Sequence, residues 1–293
     1  MLLSAAWLAG CEMTANNVDI PQTQSKLVVT CFISPRDTLL TVNVNRSVPI
    51  YGTPSVAPEL SDGTVVTLSD GTATVRLSLD VAGTPATSDR FIASARNLPI
   101  RPGGTYFLSV TTPDGLRASA SCTVPERASD QINIRLDSVQ SSNGSPDSKE
   151  YSLSVEWQDA PGEGDYYRVF AERTLGRISQ CPPGQPCQVS ISYSPVYFQQ
   201  GDVYTADAGQ DGRRFIVREG KFSYYSSGSS GQPERKVDVM LLTTDRNYYE
   251  YHRKLDQYSE DNPFAEPTPL YSNVVGGLGI FAAYQLVKQE IRY

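Results

Sequence analysis

A chain of 293 residues is long enough for two ordinary domains, each with its own core. With 17 Tyr, 20 Pro, 22 Gly and 39% hydrophobic residues, it is too aromatic for disorder and too heavily punctuated for a helical bundle. A net charge of -7 and the lack of any basic cluster exclude a nucleic-acid partner, which needs a basic stripe, and an electrostatic membrane patch.

The first stretch, "MLLSAAWLAGC", is an apolar run ending in Leu8-Ala9-Gly10-Cys11. That ending resembles a bacterial lipobox, whose small residues suit a peptidase groove and whose cysteine thiol carries diacylglycerol. Residues 1–10 then read as a lipoprotein signal peptide and Cys11 as the lipidated residue. No Lys or Arg precedes the run, which departs from the usual pattern. One acylated N-terminus holds a domain at a membrane without a spanning helix. Later apolar runs fall short of the roughly 20 residues a span needs. Residues 11–25 are polar and read as a tether.

From Lys26 to Pro125 short strands arrive at close intervals. "KLVVTCFIS" and "TLLTVNVNRS" flank the turn "PRD", and alternation is clear at Leu40, Val42, Val44 and again at Val75, Leu77, Leu79. "TYFLSVTTPDG" and "LRASASCTVP" meet at Asp114-Gly115, a hairpin signal. This pattern predicts an immunoglobulin-like or transthyretin-like β-sandwich over 26–125.

Residues 126–293 read as a second β domain, so the chain is mainly all-β. Its strands include "QINIRLDSV", "YSLSVEWQ" and, after the "DAPGEGD" turn, "YYRVFAER". One exposed helix stands out near 245–258, capped by Thr244 or Asp245, with Tyr248, Tyr251, Leu255 and Tyr258 at helical spacing. The prolines of "NPFAEPTP" end it.

Of five cysteines, setting Cys11 aside leaves four. Cys181 and Cys187 bracket "PPGQP" and are expected to form a disulfide in an oxidising compartment. Zinc is the competing reading, but the pair lacks the two further ligands of a structural site. Cys31 and Cys122 share the inward phase of their strands and are expected to pair across the sandwich.

Chemistry is sparsely marked. His252 is the one histidine, sits on the helix, and has no Ser or Cys motif beside it; it reads as a solvated surface residue. Acidic pairs such as Glu260-Asp261 read as solvated loop charges. Two carboxylates suffice for a glycosidase, yet no motif marks a pair. No metal site and no cofactor are expected, and the chain reads as non-enzymatic. The glycines of "NVVGGLG", Gly276, Gly277 and Gly279, lack the Lys-Ser/Thr of a P-loop and the strand–helix context of a dinucleotide fingerprint. They read as a structural turn in the C-terminal domain, with positive φ at one or more positions.

The segment "DNPFAEPTPLYSNVVGGLGIFAAY" resembles the C-terminal signature of the Bacteroidota outer-membrane lipoproteins grouped as domain-of-unknown-function family 4249. "KLVVTCFISP", "VNVNRSVPIYG", "RPGGTYFLSVTTPDG" and "VEWQDAPGEGDYYRV" are similar too. The resemblance implies a lipid-anchored outer-membrane protein encoded near TonB-dependent receptors, with no catalytic residues to carry over. Which face of the membrane it occupies is left open. The expected function is a binding or accessory subunit of a TonB-dependent transporter; the alternative is a stand-alone adhesin or glycan-binding module, and a hydrolase is third. An outward Tyr249, with His252 and Phe264 of the following loop, is the candidate partner surface. A helix that only covers the sheet is the rival reading of those residues.

Overall fold

The computed structural model describes residues 25–48, 60, 62–81, 89–129, 131–140, 148–178, 189–198, 203–225, 235–258 and 270–293. Cys11, Cys181, Cys187 and Phe264 lie outside the described residues.

Strand alternation builds the first half. β1 (Leu27–Ile33) buries Leu27, Val29, Cys31 and Ile33 and turns the residues between them the other way, as a two-residue period requires. β2 (Leu39–Arg46) does the same with Leu40, Val42 and Val44. β3 (Val65–Ser69), β4 (Thr74–Leu79), β5 (Asp89–Ser94), β6 (Thr105–Thr111) and β7 (Arg117–Thr123) continue the antiparallel run in the order β1-β2-β5-β4-β3-β6-β7. β4 and β5 share only Ser78–Leu79 against Phe91–Ile92. The run folds over at that short seam, and side chains of β1, β2 and β5 meet those of β3, β6 and β7 in one core.

The second half forms another two-layer core. β8 (Ile132–Gln140), β9 (Ser148–Gln158) and β13 (Arg214–Tyr225) make a three-stranded sheet in the order β13-β9-β8. β10 (Tyr166–Ile178), β11 (Val189–Val196), β12 (Tyr204–Ala206) and β14 (Arg235–Thr244) belong to the larger sheet. Leu153, Val155 and Trp157 from the small sheet pack against Tyr167, Val169, Val239 and Leu241 from the large one. The fold is mainly all-β, with two sandwich-like layers in each half and one helix among the described residues, α1 (Arg246–Gln257).

The last strand joins the halves. β15 (Leu278–Arg292) runs parallel to β1 from Val28↔Leu278 to Ile33↔Ala283, then antiparallel to β14 from Thr244↔Tyr284 to Lys236↔Arg292. Its phase never breaks. Phe281 and Ala283 enter the first core, and Ile291 and Tyr293 pack against the second. Ile280 and Ala282 face the other side, where they meet Leu242 and Tyr248. The boundary expected after Pro125 therefore separates β1–β7 from β8–β14, while residues 274–283 pack with the first sandwich.

The glycine segment explains how β15 gets there. Val275 exchanges both backbone bonds with Ser119 of β7, at 2.9 and 2.8 Å. Gly276 has φ +77° and Gly279 φ +109°, a region L side chains rarely enter. A Cβ on Gly276 or Gly279 would be driven into the carbonyl oxygen of Arg117 or Val29, and one on Gly277 would stand 2.7 Å from Leu27 O. The three glycines let the chain slide between β7 and β1, in the first sandwich rather than the second.

The expected Cys31–Cys122 bond is not formed: both are buried free thiols. Alternation points both inward but does not set the separation and angle a disulfide needs. Each fills its place as a small apolar side chain. Burial pushes both thiols far above their usual range, which keeps them protonated and inert.

Candidate functional site

Two clusters of polar and aromatic side chains are built by the fold. The first lies under α1. Asp245 caps the helix by accepting from Tyr248 N at 2.8 Å. Burial nevertheless pushes its carboxyl up to about 7, against the pull of the neighbouring Tyr248 and Ala283 backbone. Tyr248 and Tyr249 are both buried. The Tyr248 ring meets Phe32 at 5.4 Å, His252 at 4.2 Å and Tyr284 at 5.7 Å. Tyr249 packs on Tyr166 at 5.0 Å and Tyr204 at 6.1 Å.

An arginine closes this cluster. Arg168 Nη1 donates to Tyr248 OH at 3.1 Å, its guanidinium lies 5.2 Å from the Tyr204 ring centre, and Nη2 stands 3.6 Å from Asp256. Tyr204 OH donates to the same Asp256 carboxylate. Cation, rings and carboxylate thus satisfy one another beneath the helix.

The expected partner surface is corrected in two places. Tyr249 does not point outward; it is 9% exposed. His252 is half-buried rather than freely solvated; its ring lies 5.2 Å from Phe32, and burial together with Arg168 pulls its pKa down to about 4. It is neutral at physiological pH. Leu255 and Tyr258, which the helical spacing groups with Tyr248 and Tyr251, are exposed along with the rest of the last turn. The physical reason is that α1 covers two elements at once. Tyr248 and His252, four apart, face the β14–β15–β1 sheet, while Tyr249 turns about 100° toward β10 and β12. Adjacent tyrosines followed by His at i+4 were the available signal.

The second cluster sits where β9, β10 and β12 end or begin. Asp159, Asp165 and Asp207 bring carboxylate oxygens within 4.8 Å of one another, the first and third being 2% exposed. Asp159 accepts from Tyr167 OH at 2.5 Å and from Gly212 N at 2.8 Å. Asp207 accepts from Gly164 N at 2.9 Å. Asp165 has the company of both, and burial first, then Asp159 and Asp207, push it up to about 6. Three hard oxygen donors at this spacing can share a proton or hold a hard divalent cation. Sequence reasoning named no such group. "DAPGEGD" and "DAGQDG" show acidic residues interleaved with glycine, but nothing local brings position 207 beside 159 and 165.

Among the described residues, no helix is long and apolar enough to cross a membrane. No curated protein matches the chain. The model of the family described as Domain of unknown function (DUF4249) matches residues 14–290, nearly the whole chain, and the protein belongs to that family.

Proposed function

We propose that this chain is a lipid-anchored outer-membrane protein of the Bacteroidota that works without catalysis, as a binding or accessory subunit of a TonB-dependent transporter. The observation that carries the reading is the apolar run ending at Leu8-Ala9-Gly10-Cys11, which stands directly ahead of the family-matched residues 14–290. An acyl chain at Cys11 places the two sandwiches beside a membrane barrel. Their shared strand supplies a rigid scaffold, and the half-buried His252 and buried tyrosines serve packing.

The test is purification of the tagged protein from detergent-solubilised envelopes. Intact mass should show diacylglycerol on Cys11, and a TonB-dependent barrel should co-elute. If a Cys11→Ser protein partitions into detergent like wild type, and the wild type elutes alone, the reading fails.

A second reading has its own support. Tyr193, on the edge strand β11 of the large sheet, and Tyr197, just beyond it, are 65% and 74% exposed. Exposed rings of that kind suit stacking on sugars. Retention on a carbohydrate array that is lost in a Tyr193→Ala, Tyr197→Ala protein would make the chain a stand-alone adhesin or glycan-binding module.

A further inference from the structure

One short ladder carries the last strand from the first half into the second. β1 and β15 run parallel from Val28↔Leu278 to Ile33↔Ala283, a length of about 20 Å at strand spacing. β15 then passes beyond the end of β1 and, without turning, enters the second half beside β14. The two strands are therefore loaded from opposite ends. A pull from the N-terminal side enters β1 at Leu27, whereas a pull from the second half enters β15 past Ala283. Parallel strands drawn in this way slide against each other, so every bond of the ladder bears the load at once. Drawn apart from one end, the same bonds open singly, each worth about 1 kcal/mol.

More than backbone bonds opposes the slide. A slip of one residue would turn the buried Val29, Cys31 and Ile33 to the opposite face. That face is already filled: Phe32 lies against α1, its ring 5.4 Å from Tyr248 and 5.2 Å from His252. α1 is itself tied to the end of the ladder, where Asp245 N donates to Ala283 O at 2.9 Å. The strands are in close contact at Gly279, where an added Cβ would stand 2.0 Å from Val29 O. β2 holds the other edge of β1, from Leu27↔Arg46 to Cys31↔Val42.

We infer that the β1–β15 ladder is a mechanical clamp, through which the chain bears tension between the start of β1 and its second half. Direction separates a clamp from ordinary packing. A pull at the start of β15 first meets the two backbone bonds between Val275 and Ser119, then Gly276, Gly277 and Gly279, and after them opens the ladder from one end. A pull at the end of β15 finds the whole ladder in shear. Such a device suits a chain drawn from one side while its second sandwich holds a load. The inference stands on strand direction and requires neither the lipid anchor nor a transporter, so either can fail without the other.

Single-molecule force spectroscopy on the full chain tests it in two directions. Attachment at Lys26 and Tyr293 draws β1 and β15 from opposite ends; attachment at Lys26 and Leu270 draws them from the same end. Lys26 and Leu270 are exposed, so a handle on either leaves the core intact. At equal loading rate the first peak force should be about two-fold higher for the Lys26–Tyr293 pair, since forced unfolding is governed by the unfolding barrier. Equal forces, or a higher force for the Lys26–Leu270 pair, would overturn the inference. So would a first event in the Lys26–Tyr293 pull whose gain in length frees residues 284–293 and leaves β1 paired.

Discussion

Replacing Gly279 with Ala probes the joint between the two halves of the molecule. Gly279 has φ +109°, and its partner across the parallel ladder is Val29. Holding an L residue at such a φ costs about 1–3 kcal/mol. The new methyl would also collide with the Val29 backbone, whose carbonyl oxygen and carbon and amide nitrogen are the three nearest atoms. All three are backbone, so no rotamer change relieves the contact, and β1 must move away from β15. Loosening one or two ladder bonds adds about 1 kcal/mol each. The expected total is about 3–5 kcal/mol. Gly115→Ala is the control. It has φ +92° with nothing within 4 Å of an added Cβ, so it isolates the conformational cost of about 1–2 kcal/mol. Urea unfolding by far-UV circular dichroism gives both values, compared at constant m. If the two variants lose equal stability, the close approach of β1 and β15 is not what demands glycine, and the account of this turn is wrong.

Three other outcomes follow from the buried groups. Asp245 is held above its unfolded value, so between about pH 4 and 7 the folded state binds more protons, and its contribution makes stability fall as pH rises. The stability difference between wild type and Asp245→Asn should therefore shrink against the wild type by about 2 kcal/mol or more from pH 4 to pH 8; a flat difference would refute the burial argument. Removing Arg168 takes the donor from the buried Tyr248 hydroxyl and the cation from beside the Tyr204 ring, while Asp256 keeps its bond from Tyr204, so Arg168→Ala should cost about 1–3 kcal/mol and speed amide exchange in Arg246–Gln257, with Arg168→Lys failing to restore it. Cys31 and Cys122 should resist a thiol reagent in the native protein and react only at the rate of global unfolding; a non-reducing peptide map that links them would overturn the free-thiol structure.

Much of the strand pattern was legible because a two-residue period is local. Leu40, Val42 and Val44 announce an inward face wherever their partners lie. The partners themselves are not local. β15 pairs with β1 across almost the full length of the chain, and a parallel neighbour leaves no turn residue in the sequence to mark it. The domain boundary suffered for that reason: Pro125 ends the first run of strands, yet the first sandwich is completed by residues 274–283. The glycines were readable as structural from what they lack, while their location was not. The helix shows the complementary limit. Its period was correct, but a period gives one stripe, and α1 rests on two surfaces about a residue apart in angle. Tyr249 and His252 were thus assigned to solvent when both are packing residues. Asp159 and Asp165 end one turn between β9 and β10, but Asp207 follows β12, and its arrival beside them is a property of the β10–β12 pairing.

The sharing of β15 also governs how a pull at the start of β1 passes through the protein. Just ahead of β1, Ser25 Oγ donates to Ser47 O and Lys26 N donates to Ser47 Oγ, each at 2.9 Å. β1 begins one residue later and pairs at once with Leu278 and its successors. A pull on the N-terminus therefore loads the β1–β15 ladder along the strands, where several backbone bonds resist together rather than opening one by one. The same β15 continues without a break into the ladder with β14 and so into the second sandwich. α1 lies across the outer face of this joint, with Tyr248 packed beside Leu242, Ile280 and Ala282, and Phe32 against it. A hinge between the halves would have to bend a continuous strand and lift the helix off it. The second sandwich, with its acidic cluster, is thereby held at a fixed orientation to β1 and the first.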